Sequence, residues 1–225
     1  MRSPICYRAV VCGLIAVLIA APASAGFFEG RGVKGSGDME TRELDLEDFS
    51  AIKIGGAFDL EIGFGDQQSV KVTIDDNLWD LLEADVRGGE LELDWKKSVR
   101  PSDECRIEIV VRSLDEMNIS GAGDVRIHDF AGDRFRFKLS GAADLEMDGE
   151  VDRLEIRVSG AGDIDTRDLR ARDVEITISG AGSADVRATE SIDAHVSGVG
   201  NIDIYGNPVH RKVRTSGLGK ITDKD

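Results

Sequence analysis

From about residue 115 to the end, apolar and polar residues alternate in short runs. A near-copy of one corner, first written "ISGAGDV" at 119–125, interrupts these runs. The copies begin at Leu139, Val158, Ile178, Val196 and Thr215, and their serines, Ser120, Ser140, Ser159, Ser179, Ser197 and Ser216, are 20, 19, 20, 18 and 19 residues apart. Period-two alternation rich in Val, Ile, Phe and Arg predicts strands, and a fixed spacing in this range predicts a stacked repeat. Three columns are apolar almost throughout: Ile119, Leu139, Val158, Ile178, Val196, Thr215; Met117, Phe137, Ile156, Ile176, Ala194, Val213; and Val125, Leu145, Ile164, Ala184, Ile202, Ile221. The positions between them, Asn118, Lys138, Arg157, Thr177, His195 and Arg214, are polar and are expected to face water. One coil cannot bury its apolar side alone, whereas stacked coils can. The pattern predicts an all-β fold, a parallel β-helix or solenoid with coils of about 19 residues. It is taken as right-handed by analogy with parallel crossovers.

In this scheme each Ser-Gly-small-Gly is a corner. Gly121, Gly141, Gly160, Gly180, Gly198 and Gly217 fill one position without exception. That invariance points to a positive φ or to a backbone too close for a β-carbon. Ala122, Ala142, Ala161 and Ala181 are expected to tuck inside the bend, and the serines to bond local amides and their neighbours in the stack.

The earlier half is less regular. "SVKVTID", "LEADV", "ELELDW" and "ECRIEIVV" read as strands, "NLWDLLEA" as a short helical turn and "KKSVRPSDE" as a loop. Gly56 resembles a corner, and the 65 residues from it to Gly121 leave room for about three longer coils. Residues 1–25 carry Arg2 and Arg8, an apolar run and "ASA", the layout of a secretory signal, and the apolar run is short for a membrane span. Residues 26–48 read as a flexible leader and 49–225 as a single solenoid domain. Together these place the protein in the periplasm or at the cell surface, with no transmembrane segment in the mature chain.

The formal charge of −15, or −17 once Arg2 and Arg8 leave, argues against nucleic acid as a partner. Cys105 is the one cysteine left after the signal, so the mature chain has no internal disulfide. Its place in an alternating run suggests a buried structural thiol.

The segment "FSAIKIGGAFDLEIGFGDQQSVKVTIDDN", the run "GGELELDW" and "LDEMNISGAGDVRI" leading into the SGAGD coils resemble the GIN-domain family, the putative autotransporter adhesin head domains of unknown function. The resemblance extends from about Phe49 to Asp225. It implies a β-helical exported protein of the bacterial envelope with an adhesive or surface role, and it brings no catalytic residues.

Stacking would place Asp144, Glu146, Asp163, Asp165, Asp185 and Asp203 on one acidic face. Carboxylates about 4.8 Å apart in water repel by about 0.9 kcal/mol, which a weakly bound Ca²⁺ would relieve. Turn chemistry is the favoured reading, because a calcium cage needs six to eight converging oxygens. No cofactor is otherwise expected. Asp193, His195 and Ser197 spell a triad, but i and i+2 on one strand face lie about 6.6 Å apart, too far for a relay. The favoured function is therefore a non-catalytic binding, adhesion or envelope structural module, with a protein or glycan partner and with solenoid ends open to self-association. The alternatives are a carbohydrate-active enzyme on the acidic face and a weak calcium-binding envelope protein. The basic column (Lys138, Arg157, His195, Arg214) and the acidic face are the candidate contact surfaces.

Overall fold

The computed structural model describes residues 32–224. The signal assignment (1–25) and the first part of the leader lie outside the described residues. The strands are β1 (Val33–Lys34), β2 (Met39–Leu44), β3 (Ala51–Ile54), β4 (Asp59–Phe64) and β5 (Ser69–Asp75). After a 3-10 helix (Asp76–Leu81) come β6 (Leu82–Arg87), β7 (Glu90–Trp95), β8 (Val99–Arg100), β9 (Arg106–Val111) and β10 (Glu116–Ile119). The repeats supply β11 (Ala122–Leu139), β12 (Ala142–Val158), β13 (Ile164–Ile178), β14 (Ala181–Val196), β15 (Val199–Tyr205), β16 (His210–Thr215) and β17 (Leu218–Asp223).

From β10 onward every pairing is parallel, and the fold is a parallel β-solenoid. Like residues meet like. Leu139 is paired with Val158, Val158 with Ile178, and Ile178 with Val196. The second column continues Phe137, Ile156, Ile176, Ala194, and the third runs Leu145, Ile164, Ala184, Ile202. All of these are buried. Burying a large aliphatic or aromatic side chain contributes about 1.5–3 kcal/mol, so several per coil hold the stack together.

The first half departs from the expectation of about three coils in chain order. β3 lies between β7 and β10, and β4 lies between β9 and β11, so the first coil-like passage of the chain is second in the stack. Beyond β7 and β9 the pairing turns antiparallel: β6 runs against β7, β5 against β9 and β2 against β5. An antiparallel strand turns the ladder away from the repeating geometry, and these strands close the N-terminal end. The strand segments match those read from the sequence, but alternation gives a strand's faces and not its direction.

Residues 33–44 are not a flexible leader. β1 pairs with β8, and β2 pairs with β5 over six residues. The anchor is Asp75, which is fully buried and accepts hydrogen bonds from the Ser102 hydroxyl (2.5 Å), the Ser102 amide (2.9 Å) and the Gly37 amide (2.9 Å). Asn77 adds two more: it accepts from the Ser36 amide and donates to the Lys34 carbonyl. Polarity made this stretch read as a leader, yet its polar groups are what tie it down.

Candidate functional site

The corners set the geometry of the surface. The glycine column carries no positive φ; close approach is its cause. A β-carbon at Gly121 would sit 1.7 Å from the Gly56 carbonyl oxygen, and the same collision recurs at Gly141, Gly160, Gly180, Gly198 and Gly217, at 1.8–2.0 Å. The serines do not bond local amides. Their hydroxyls donate to carbonyls one coil back, Ser120 to Ile54 (3.1 Å), Ser140 to Ile119 (3.4 Å), Ser159 to Leu139 (3.3 Å) and Ser179 to Val158 (3.4 Å). Ser197 and Ser216 keep the same backbone bonds, donating their amides to Ile178 and Val196.

The alanines lie on the opposite side from that expected. Ala57, Ala122, Ala142, Ala161 and Ala181 are exposed and stacked in register, continuing into Val199 (57% exposed) and Leu218 (80% exposed). Because the glycine presses its backbone against the preceding coil, the residue after it turns outward.

On the outer sheet face two polar columns run side by side. One is Lys53, Asn118, Lys138, Arg157, Thr177, His195, Arg214; the other includes Glu116, Arg136, Glu155, Glu175, Asp193 and Lys212. Ion pairs cross between the columns, Lys138 to Glu116 and Arg157 to Glu155 (2.8 Å each), and run along them, Arg136 to both Glu116 and Glu155 (3.1 Å each) and Lys53 to its in-register neighbour Glu92 (2.8 Å). The Lys138 ammonium is the main cause that holds the Glu116 carboxyl below its ordinary range. Burial works against the charged form of Glu155, but hydrogen bonds from Arg136 and Arg157 outweigh it, and its pKa is also lowered. Between the cation column and the serine column lies a groove of about 470 Å³, lined among others by Lys53, Ser120, Lys138, Ser140, Arg157 and Ser159. The sequence named most of the columns but not this groove, which only the side-chain packing defines.

The acidic face resolves into two columns. In one, Asp144 accepts the Asp163 amide (2.7 Å) and Asp163 accepts the Ser183 amide (3.0 Å), so these carboxylates cap the next coil instead of their own turn. In the other, Glu146, Asp165, Asp185 and Asp203 stand in register. Cations already sit among them. Arg167 bonds Asp165 and approaches Asp185, Arg126 approaches Glu146, and Lys224 reaches Asp203. Arg167 holds the Asp165 pKa down, while burial raises that of Asp185, aided by Asp165 and Asp203 against Arg167. Among the described residues no group of three or more His, Cys, Asp or Glu side chains is arranged to hold a metal ion.

Asp193, His195 and Ser197 are not brought together as a relay. Asp193 is bonded by Lys212, and the half-buried His195 keeps its Nδ1 without a partner. Cys105 is buried, and burial pushes its thiol up to about 11, away from nucleophilic use. Trp95, which the sequence places at the end of the strand "ELELDW", stacks on Phe58 at 5.1 Å and lines a second groove at the capped end.

A crystal structure of a putative adhesin from Bacteroides fragilis superposes with a TM-score of 0.74 at 25% identity, covering 86% of this chain and all of that one. A putative lipid binding protein from Parabacteroides distasonis matches with a TM-score of 0.53 at 26% identity, over 87% of this chain and all of that one. A putative adhesin from Parabacteroides merdae, 20% identical with a TM-score of 0.57, covers 86% of this chain and 99% of its own and shares the fold. No curated protein matches. Among the described residues no helix is long and apolar enough to cross a membrane. The family described as "Putative auto-transporter adhesin, head GIN domain" matches residues 48–208, and the chain belongs to that family.

Proposed function

We propose that the protein is an exported, non-catalytic adhesion module that works at the periplasmic or outer surface of the envelope. Its contact face is the sheet face bearing Lys53, Lys138 and Arg157. The observation that carries this reading is the groove itself: a rigid, in-register surface that repeats its side chains coil after coil. Such a stack presents a fixed array to a long partner at no cost in ordering itself. The family's adhesin description agrees with it.

The acidic face supports an enzyme less well. Asp163 is occupied by a backbone amide and Asp165 by Arg167, so neither is free as an acid or base. The test pairs two measurements on purified protein. Envelope glycans should bind without being cleaved, and Lys138→Glu should weaken that binding. Cleavage that disappears in an Asp163→Asn, Asp165→Asn double variant would overturn the proposal in favour of a carbohydrate-active enzyme. Fractionation of cells expressing the full chain should place it outside the cytoplasm.

A further inference from the structure

We infer that the groove beside the serine column binds an acidic polysaccharide laid along the solenoid axis; this rests on the contact face proposed above and names its ligand class. The chain carries a formal charge of −15, yet the charged residues lining this groove are Lys53, Lys138 and Arg157, all cations. Their glutamate partners, Glu92, Glu116, Glu155 and Glu175, do not line it. The three cations are about half exposed, and exposed ion pairs contribute only about 0–1 kcal/mol. A ligand carboxylate can therefore share or replace a glutamate.

The opposite wall is made of hydroxyls. Ser120, Ser140, Ser159 and Ser179 are exposed, and each spends its proton on a carbonyl of the preceding coil. What remains on each Oγ is acceptor capacity, which suits a ligand rich in O–H donors. A polysaccharide has such donors along its whole length. A polypeptide would prefer an unpaired strand edge, and the strands beneath the groove, β10 to β13, are paired on both sides. Cations on one wall and acceptors on the other select a chain that carries both carboxylate and hydroxyl groups. Successive coils lie about 4.8 Å apart, so contacts recur along the axis and an extended polymer engages several at once.

The experiment is calorimetric titration of the purified protein with three probes: polygalacturonate, the same polymer fully methyl-esterified, and poly-glutamate. Polygalacturonate should bind, more weakly as salt rises from about 50 to 300 mM because the contacts are ionic. The ester should not bind. A Lys138→Glu, Arg157→Glu double variant should lose on the order of a hundredfold in affinity, and a Lys138→Gln, Arg157→Gln variant somewhat less. The glutamine pair keeps the test valid if the reversed charges disturb folding, which a melting curve reports. Equal binding of the neutral ester, lost in the double variant, would keep the contact face and overturn the acidic ligand. Polygalacturonate binding unaffected by either variant would overturn the contact face itself. Preference for poly-glutamate, or binding of none of the three, would overturn the polysaccharide assignment.

Discussion

The carbonyl oxygen of Gly121 occupies the space where a β-carbon of Gly141 would stand, 1.8 Å from that position, and it accepts the amide of Ala142 at 2.9 Å. The obstacle is backbone, which cannot swing aside as a side chain can. Gly141→Ala should therefore destabilise the protein by about 3 kcal/mol, the upper end of overpacking costs. That corresponds to a drop of roughly 6–12 °C in melting temperature for a domain of this size. Ala142→Ser, one residue on and exposed, should change it little. Equal melting of both variants would show that the corners are looser than the structure has them.

Ala142 and Ala161 face each other across one coil step, and Ala161 faces Ala181 across the next. Adjacent strands lie about 4.8 Å apart, inside the range a disulfide spans, and two steps, about 10 Å, lie outside it. Cysteines at 142 and 161 should cross-link rapidly under mild oxidation, whereas cysteines at 142 and 181 should not. Mass spectrometry of non-reduced peptides reads the outcome, with Cys105 buried and silent.

Asp75 couples stability to pH. Burial opposes its charge, but the Ser102 hydroxyl, the Ser102 amide and the Gly37 amide prevail, so its folded pKa lies below the ordinary aspartate value. A depressed carboxylate stabilises the fold above its unfolded pKa, near 4, and that contribution disappears as pH falls through the folded value. Asp75→Asn should cost about 1–3 kcal/mol at neutral pH, since one amide oxygen cannot serve three donors. Its melting temperature should also fall less steeply than the natural protein's below about pH 4. Parallel melting curves of the two proteins from pH 7 to 2.5 measure both effects.

The inward column Phe135, Leu154, Val174, Ile192 ends in Arg211, which pairs with Asp223 at 3.0 Å. Arg211 is exposed on the last described coil, and a charge that ends an apolar column there discourages edge-to-edge pairing. Arg211→Leu would remove it beside the partly exposed Val213 and Ile221. Light scattering should then show a shift toward dimer at concentrations where the natural chain's mass is constant. An unchanged mass would mean that the remaining charges of β16 and β17 suffice.

For the acidic face, millimolar Ca²⁺ should leave the melting temperature unchanged. Asp144 and Asp163 are held by amides, and Arg126, Arg167 and Lys224 stand beside the second column. A rise of several degrees would instead mean that the cation displaces them.

The repeat half was legible because its columns obey a single rule. Phe137, Ile156 and Ile176 are buried where alternation puts them. The corner was read inside out. Spacing reveals the glycine column and offers positive φ or close approach as its cause; the Gly121 carbonyl beside Gly141 decides for close approach, and only the exposure of Ala142 shows that the next residue faces outward. The cap was missed for a related reason: residues 34–44 look like a polar leader until Asp75 and Asn77, more than thirty residues away, bond Gly37 and Lys34, and β5 pairs with Met39–Leu44. The groove is a property of neighbours in space. Lys53 is far from Lys138 in the chain, and β10 brings them to one wall.

Between the antiparallel closure at one end and the charged, exposed strands β16 and β17 at the other end of the described residues, each winding pairs only with the one before and the one after. Length is therefore the free variable of this architecture. In-frame duplication or excision of a whole winding would lengthen or shorten the stack while leaving the antiparallel closure and the windings on either side unchanged.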